Sequence, residues 1–320
     1  SRRGWSRGPI SRLPRRDEPT PMNARQIGAL LFLGAAWGAS FLFIRVAAPV
    51  LGPFPLMAGR VSIAAGALWL FSRMQGVPVT LRPYWRRLLL LGLVHAALPF
   101  ALIATAEIHL TASMAAMLIA AQPLFAALIG VLWLGEPISA RRGIGLLLGL
   151  GGVAILVGWT PGGLDRTALW SVVASLAGAL AYAAGGIFAR RRLSDAPPLT
   201  LALGQQLGAA AWLVPPALLY LPDARVTAVA VAAMVTLALL STAVAYVVFF
   251  WLLGEVGPVR AFTVTYVIPI FGVGWGVLFL GERPSLGMGV GLVGILLSLV
   301  LVNERKPGEA VAAELTRRAA

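Results

Sequence analysis

Long apolar stretches dominate this sequence and constrain its fold more than any other feature. Ten of them each supply about the 20 residues that a helix needs to cross the hydrocarbon core of a bilayer. Alanine, leucine and glycine are frequent, and no strand-like alternation is present, so an all-α polytopic membrane protein with ten transmembrane helices is predicted. The stretches lie at about 26–48, 54–71, 88–106, 111–134, 143–159, 168–189, 199–221, 226–253, 258–280 and 286–303.

Charged residues are few, and their placement predicts the topology. Only 12% of the 320 residues are charged, against roughly 25% in a soluble domain. Most arginines lie in the tails and between alternate stretches, which is the pattern of a multi-pass protein of the cell inner membrane with both termini in the cytoplasm. We therefore attribute the net charge of +14 to topology and to contact with lipid headgroups, and expect no nucleic-acid partner.

The two ends of the chain are polar. Residues 1–25 carry seven arginines among prolines and serines and are predicted to form a disordered basic cytoplasmic tail, with Met22 as a candidate native start. Residues 304–320 are predicted to form a second cytoplasmic tail.

An internal repeat relates the two halves of the chain. A shift of 146 residues places 123–150 over 269–296, with 13 of 28 positions identical. A weaker match at a shift of 145 places Trp37 over Tyr182. The repeat predicts two related units within one chain.

Each predicted unit contains five spans, at residues 26–159 and 168–303. Because five is an odd number, the second unit enters the membrane upside-down relative to the first. Two inverted repeats around a central cavity, with the substrate near the bilayer midplane, are a recurring transporter architecture. We therefore predict a carrier.

Four segments carry a family resemblance: 37–46 (WGASFLFIRV), 56–70 (LMAGRVSIAAGALWL), 111–139 and 261–285. They resemble the EamA domains of the drug/metabolite transporter superfamily. The resemblance implies a cavity surrounded by helices one to four and six to nine. It also implies that helices five and ten pack outside this ring or between copies, as in a homodimer. Members of the family export amino acids, related metabolites and organic cations.

Charges within the spans restrict the cargo and the coupling. No acid lies mid-span, which disfavours an intramembrane carboxylate relay and favours facilitated transport, or coupling through His95 or a span-end glutamate. Arg45 and Arg60 are the cations within the spans; both lie near outer span ends and could snorkel, which disfavours phosphate-bearing cargo. The expected cargo is a small neutral, zwitterionic or amphipathic metabolite, such as an amino acid (including aromatic ones) or an organic cation. The expected direction of transport is export. A phosphate-bearing metabolite antiporter is the alternative.

Polar and aromatic side chains at mid-depth are the candidate substrate-binding residues, although an aromatic in a span more often packs against its neighbours. Thr242 and Tyr246 are four residues apart and therefore share a helix face. His95 could accept a proton or bind a carboxylate, or it could bond a carbonyl freed by Pro99. The candidates are Trp37, Ser40, His95, Gln122, Tyr182, Thr242, Tyr246, Thr263, Tyr266 and Trp275.

Prolines and glutamates mark candidate hinges and helix ends. Pro99, Pro123 and Pro269 interrupt helix hydrogen bonding, so each is either a hinge or a fixed kink. Glu136 and Glu282 are expected to interact with the dipole of the helix that follows.

Catalytic and metal chemistry find little support in the composition. The chain has no cysteine and two histidines, so no metal site or cofactor is expected. No nucleophile–base pair lies within the spans, so we expect no enzyme, with an intramembrane enzyme kept as a weak alternative.

Overall fold

The computed structural model describes residues 22–158, 165–220 and 226–302, and these residues contain helices and no strand. The fold class predicted from the apolar stretches is therefore confirmed. Of the predicted tails, only residues 22–25 lie within the described part of the chain.

Ten helices cover the described residues. Seven are long and apolar enough to cross a membrane, two are shorter and apolar, and α7 has 22 residues. They are α1 (Ala24–Leu51), α2 (Pro53–Gln75), α3 (Arg82–Ala106), α4 (Ala112–Leu134), α5 (Ala140–Gly158), α6 (Arg166–Arg192), α7 (Pro198–Leu219), α8 (Ala228–Pro258), α9 (Val264–Leu280) and α10 (Leu286–Val302).

Side-chain caps fix where several helices begin. Asn23 Oδ1 accepts from the N–H of Gln26 at 2.9 Å, and Gln26 Oε1 accepts from the N–H of Asn23 at 3.1 Å. This capping box satisfies two backbone donors at the start of α1. The helix therefore begins at Ala24, so the last two residues of the predicted tail are helical. Thr111, Asp165 and Thr227 cap α4, α6 and α8 in the same manner.

Local irregularities follow the sequence repeat. A π-helical segment at Leu93–Ala97 interrupts α3, and another at Leu239–Val244 interrupts α8, with starting residues 146 apart. Gly135 and Gly281, also 146 apart, end α4 and α9 with φ of 65°. Only glycine adopts this left-handed conformation without strain. The two halves therefore share local geometry as well as sequence.

Short connections make consecutive helices antiparallel. Odd-numbered helices begin on the side where α1 begins, which we call the start side, and even-numbered helices begin on the opposite, far side. The halves pack through α1 against α9, α4 against α6, and α2 against α7. The largest apolar core contains Phe41, Phe100, Leu213 and Leu237, and is therefore built from both halves.

Helices α5 and α10 pack closely against each other. A Cβ at Gly152 would lie 2.8 Å from the carbonyl oxygen of Gly291, so glycine is required for this approach. Elsewhere large apolar side chains face outward, such as Trp133, which is 81% exposed. An exterior of this kind suits contact with lipid.

Candidate functional site

Arg60 of α2 is the one cation among the buried side chains of the described residues, with 6% exposure. The expectation that it snorkels from an outer span end is wrong, because its side chain points into the bundle. Its Nε donates to Thr242 Oγ1 of α8 at 3.0 Å, and Thr242 in turn donates to the carbonyl oxygen of Leu237. The guanidinium carbon lies 3.8 Å from the centroid of the Phe100 ring on α3.

Gln205 of α7 lies at the position equivalent to Arg60, since the two residues are 145 apart. Its Nε2 donates to the hydroxyl of Tyr246 on α8 at 2.8 Å. Phe100, which stacks on Arg60, and Tyr246, which bonds Gln205, are likewise equivalent at a shift of 146. The structure therefore contains two related contacts, one within each half, Arg60 with Phe100 and Gln205 with Tyr246.

Tyr182 of α6 joins this arrangement. Its ring lies 5.4 Å from that of His95 and 6.1 Å from that of Phe100, both edge-on. We name the whole set the central cluster. It consists of Arg60, His95, Phe100, Tyr182, Gln205, Thr242 and Tyr246.

Two features position His95, namely the π-helical segment in which it lies and the close approach of Gly185 on α6. The residue lies in the π-helical segment of α3, and a Cβ at Gly185 of α6 would collide with the Cα and Cβ of His95. The π-helical turn contains one extra residue and so reorients the side chains that follow it.

Several buried polar atoms near the middle of the bundle have no hydrogen-bond partner among the described residues. They are Nδ1 of His95, the hydroxyl of Ser241 and both amide atoms of Gln206. Buried polar groups are normally satisfied, so an unpaired group requires a reason such as a ligand or ordered water. Ser241 is 146 residues from His95 and so occupies the equivalent π-helical position.

Four of the ten predicted binding residues thus lie in the central cluster, and the others lie elsewhere. Trp37 packs on Phe249 with ring centroids 5.4 Å apart, and Ser40 is buried in α1. Trp275 of α9 donates its Nε1–H to the carbonyl oxygen of Ala35 at 3.0 Å.

The remaining three are Gln122, Thr263 and Tyr266. Gln122 is half-buried and begins the second helical segment of α4. Thr263 Oγ1 donates to the carbonyl oxygen of Arg260 at 2.6 Å. Tyr266 packs in the cluster formed by parts of α4, α5 and α10, and its hydroxyl lies 3.4 Å from the carbonyl oxygen of Leu299.

Each predicted hinge proline lies close after a break in a helix. Pro99 is buried just after the π-helical segment of α3. Pro123 follows the interruption of α4 at Ala120 and Ala121. Pro269 lies inside α9, six residues after the turn at Thr263.

A glutamate on the far side joins the two halves. Glu282, after α9, accepts from the N–H groups of Ala112 and Ser113 at 2.7 and 2.9 Å, and from the Ser113 hydroxyl. A Cβ at Gly276 would collide with the Glu282 carboxylate, so this glycine makes room for the contact. The expectation for Glu282 is therefore wrong about its target, because it interacts with the start of α4 and not with α10.

Serines cap the helices that Glu136 and Glu282 were expected to stabilise. Ser285 Oγ accepts from the N–H of Met288 at the start of α10, and Ser139 Oγ accepts from the N–H of Arg142 at the start of α5. Glu136 forms an ion pair with Arg142 at 3.0 Å.

Glu107 lies in the turn after α3 and is fully buried. Neither carboxylate oxygen has a hydrogen-bond partner among the described residues. Burial raises the pKa of this carboxyl well above its ordinary range, and the charge of Glu282 acts in the same direction. Arg45 of α1 fixes the turn by donating to the carbonyl oxygens of Glu107 and Ile108 at 2.7 and 2.9 Å.

The chain matches a transporter family and resembles proteins that are named as transporters. The profile of the EamA-like transporter family matches residues 26–158 and 169–304. The chain is 28% identical over 287 residues to the uncharacterized inner membrane transporter YedA of Escherichia coli, covering 86% of this chain and 90% of that protein.

Two further relatives carry names that mention amino acids. A probable terminal-alkyne amino-acid exporter of Streptantibioticus cattleyicolor is 26% identical over 298 residues, with 89% of this chain and 95% of that protein covered. A probable amino-acid metabolite efflux pump of Escherichia coli is 25% identical over 278 residues, with 81% and 89% covered. A protein crystal structure with 19% identity superimposes with a TM-score of 0.63 over 88% of this chain and 97% of that one, which shows the shared fold.

Proposed function

The chain belongs to the EamA-like transporter family, and we propose that it exports small zwitterionic metabolites, foremost amino acids, by alternating access of its two halves. Membership makes the protein a multi-pass membrane transporter of small molecules. The proposal adds the class of cargo, the direction and the mechanism.

The central cluster is the observation that carries this proposal. Its residues come from α2 and α3 of the first half and from α6, α7 and α8 of the second. A solute bound there would touch both halves, so it could be exposed to either side when the halves rock about it. Transporters with inverted repeats bind their substrates in such a position.

The character of the cluster favours a solute with both polar and apolar parts. Phe100 and Tyr182 present aromatic rings, whereas Gln205, Thr242 and Tyr246 present hydrogen-bonding groups. Binding sites for small molecules typically combine an apolar lining with a few placed polar groups. Two relatives named for amino acids agree with this class of cargo.

The arginines support an orientation with the start side in the cytoplasm. Arginines cluster where α2, α4 and α6 end, which is the start side, as with Arg190, Arg191 and Arg192. The positive-inside rule assigns such a side to the cytoplasm. Both termini are then cytoplasmic, in the inner membrane of the cell.

A contact between the two halves closes the far side of the bundle. There the carboxylate of Glu282 ties α9 to the start of α4. Alternating access requires such a contact to break when the far side opens.

Flux into liposomes tests the proposal. The purified protein is reconstituted, the vesicles are loaded with unlabelled neutral L-amino acids, and uptake of the labelled amino acids is followed with and without a pH gradient. We expect saturable exchange that unlabelled amino acid competes for, and we expect it without the gradient. Absence of uptake, or uptake linear in concentration as through a pore, would contradict the proposal.

A further inference from the structure

Arg60 is a buried charge, and no ion pair joins it to a carboxylate in the part of the chain that the structure describes. Its Nε is bonded to Thr242, whereas the neighbour of Nη1 is the sulfur of Met57 at 4.0 Å, a weak acceptor. Buried charges in proteins are normally paired, so this guanidinium lacks a partner that the fold could have supplied.

The contacts of Arg60 leave one edge of its guanidinium group without a strong hydrogen-bond acceptor among the described residues. Phe100 covers one face of the guanidinium plane, and Thr242 occupies the Nε–H. In the part of the chain that the structure describes, the only hydrogen-bond partner of the edge formed by Nη1 and Nη2 is the sulfur of Met57 at 4.0 Å, a weak acceptor that a stronger acceptor can displace. Two parallel N–H groups on such an edge match the two oxygens of a carboxylate.

Unpaired neutral groups provide a second, independent observation. Gln206 of α7 and Ser241 of α8 are 0% and 1% exposed and have no partner among the described residues. Ser241 precedes Thr242, the residue that bonds Arg60. α2, the helix of Arg60, packs against α7 and against the π-helical segment of α8. Unpaired polar side chains therefore occur on two of the helices that pack against the helix of Arg60.

We propose that the Nη1–Nη2 edge of Arg60 binds the carboxylate of the transported solute. This inference rests on the proposed function and narrows it, because a fixed positive charge repels organic cations and so removes them from the expected cargo. A single buried cation also suits a monoanionic group better than a phosphate dianion. The solute is then a carboxylate-bearing zwitterion whose carboxylate lies at the junction of α2, α3 and α8.

Binding at Arg60 would also couple cargo to conformation. The guanidinium contacts Phe100 of the first half and Thr242 of the second, so a carboxylate held there is close to both. Arg60 is buried in this structure, so access to its free edge depends on separation of the helices. The cargo would replace the protein contacts that close over the charge.

Competition in liposomes tests the inference on the unaltered protein. Exchange of labelled L-leucine, L-methionine and L-phenylalanine is measured against unlabelled competitors. Each acid is matched by its amide, and phenylalanine also by phenethylamine, which lacks the carboxylate. We expect the acids to compete at concentrations about 10- to 100-fold lower than the amides and the amine, the ratio expected for one charge-assisted hydrogen bond. Equal competition by amide and acid, or stronger competition by a phosphate monoester, would overturn the inference.

Variants of Arg60 test the same point on the protein side. Arg60→Gln removes the charge, Arg60→Lys keeps the charge without the planar edge, and Arg73→Gln alters an exposed arginine at the end of the same helix. We expect Arg60→Gln to abolish the preference for acid over amide, Arg60→Lys to weaken it, and Arg73→Gln to leave it unchanged. An Arg60→Gln protein that elutes as a single species and retains the preference would refute the assignment.

The outcomes separate this inference from the function that it presupposes. If the wild-type protein exchanges amino acids and shows no preference for the carboxylate, the carrier function stands and the role of Arg60 is refuted. If the wild-type protein exchanges none of the labelled acids, the proposed function is refuted and the role of Arg60 with it. If Arg60→Gln does not fold, Arg60→Lys decides, because loss of the planar edge with the charge retained should weaken the preference for acid over amide, and an unchanged preference would refute the assignment.

Discussion

Replacing Glu282 with glutamine should loosen the contact that joins the two halves on the far side. The carboxylate accepts three hydrogen bonds from the start of α4, two of them from the backbone N–H groups of Ala112 and Ser113. A glutamine has one acceptor oxygen, no charge, and an NH₂ group that opposes the N–H donors. The helix dipole at the start of α4 also favours a negative charge at this position.

The size of the effect follows from these contacts. A hydrogen bond to a charged group contributes about 1.5–3 kcal/mol, and we count the loss of one such bond as the smallest change. Since about 1.4 kcal/mol corresponds to a factor of ten, local opening at the start of α4 should become about 10- to 100-fold more frequent.

Amide hydrogen exchange measures this opening directly. We expect the amides of Ala112 and Ser113 to exchange about 10- to 100-fold faster in Glu282→Gln than in the wild-type protein in lipid nanodiscs. Glu255→Gln is the matched control, because Glu255 is exposed in α8 and its amide contact to Gln26 is long, at 3.4 Å. If the amides at the start of α4 exchange at the same rate in Glu282→Gln and Glu255→Gln, the Glu282 carboxylate does not hold the start of α4 in place and the prediction is refuted.

Two further predictions concern stability. Gly185→Ala should lower the free energy of unfolding by about 1–3 kcal/mol, because the new Cβ collides with His95. The control Gly186→Ala should cost less, because its Cβ meets only a ring nitrogen of His95 at 4.0 Å. Thermal unfolding in detergent compares the two variants, and equal losses of stability would count against the packing of α3 on α6. Glu107→Gln should remove a pH dependence. Burial raises the pKa of the Glu107 carboxyl in the folded protein, so the wild-type protein loses stability as pH rises above the pKa that this carboxyl has in the unfolded chain. The variant has no such carboxyl and should not show this loss. Melting temperatures of the two proteins that run parallel from pH 5 to 8 would contradict the prediction.

Periodicity and repeats allow the fold to be predicted because membrane burial imposes length and apolarity on every helix. The shift of 146 residues that aligns the ends of α4 and α9 also aligns the two π-helical segments, which no composition reveals. Those segments decide which way His95 and Ser241 point. The sequence therefore predicts the helices, whereas backbone irregularities within them shape the central cluster.

Arg60 shows why three of the seven residues of the central cluster are not among the binding residues predicted from the sequence. A long side chain near a span end can snorkel to the surface or turn inward, and hydropathy is the same in both cases. A shift of 145 places Arg60 over Gln205 and also aligns Gly59 with Gly204 and Pro53 with Pro198, which was the available signal. A charged residue aligned with a polar one in an inverted repeat indicates a shared central position.

Glu282 shows a different limit. Its distance along the chain from Ala112 is 170 residues, and the contact forms because the second half is inverted and brings the end of α9 to the start of α4. The helix dipole alone therefore predicts that Glu282 interacts with α10, the helix that follows it in the chain. The correct partner depends on how the halves pack, which a single sequence does not specify.

Two-sided labelling of the seam between the halves tests the central claim most directly. The chain contains no cysteine, so Ser241→Cys introduces one thiol at the π-helical segment of α8, where the serine is 1% exposed. A membrane-impermeant maleimide is applied to intact cells and, separately, to inverted membrane vesicles. Alternating access predicts slow labelling from both sides, changed by added neutral amino acids. Labelling from one side only, or from neither, would contradict a pathway that opens alternately between the two halves.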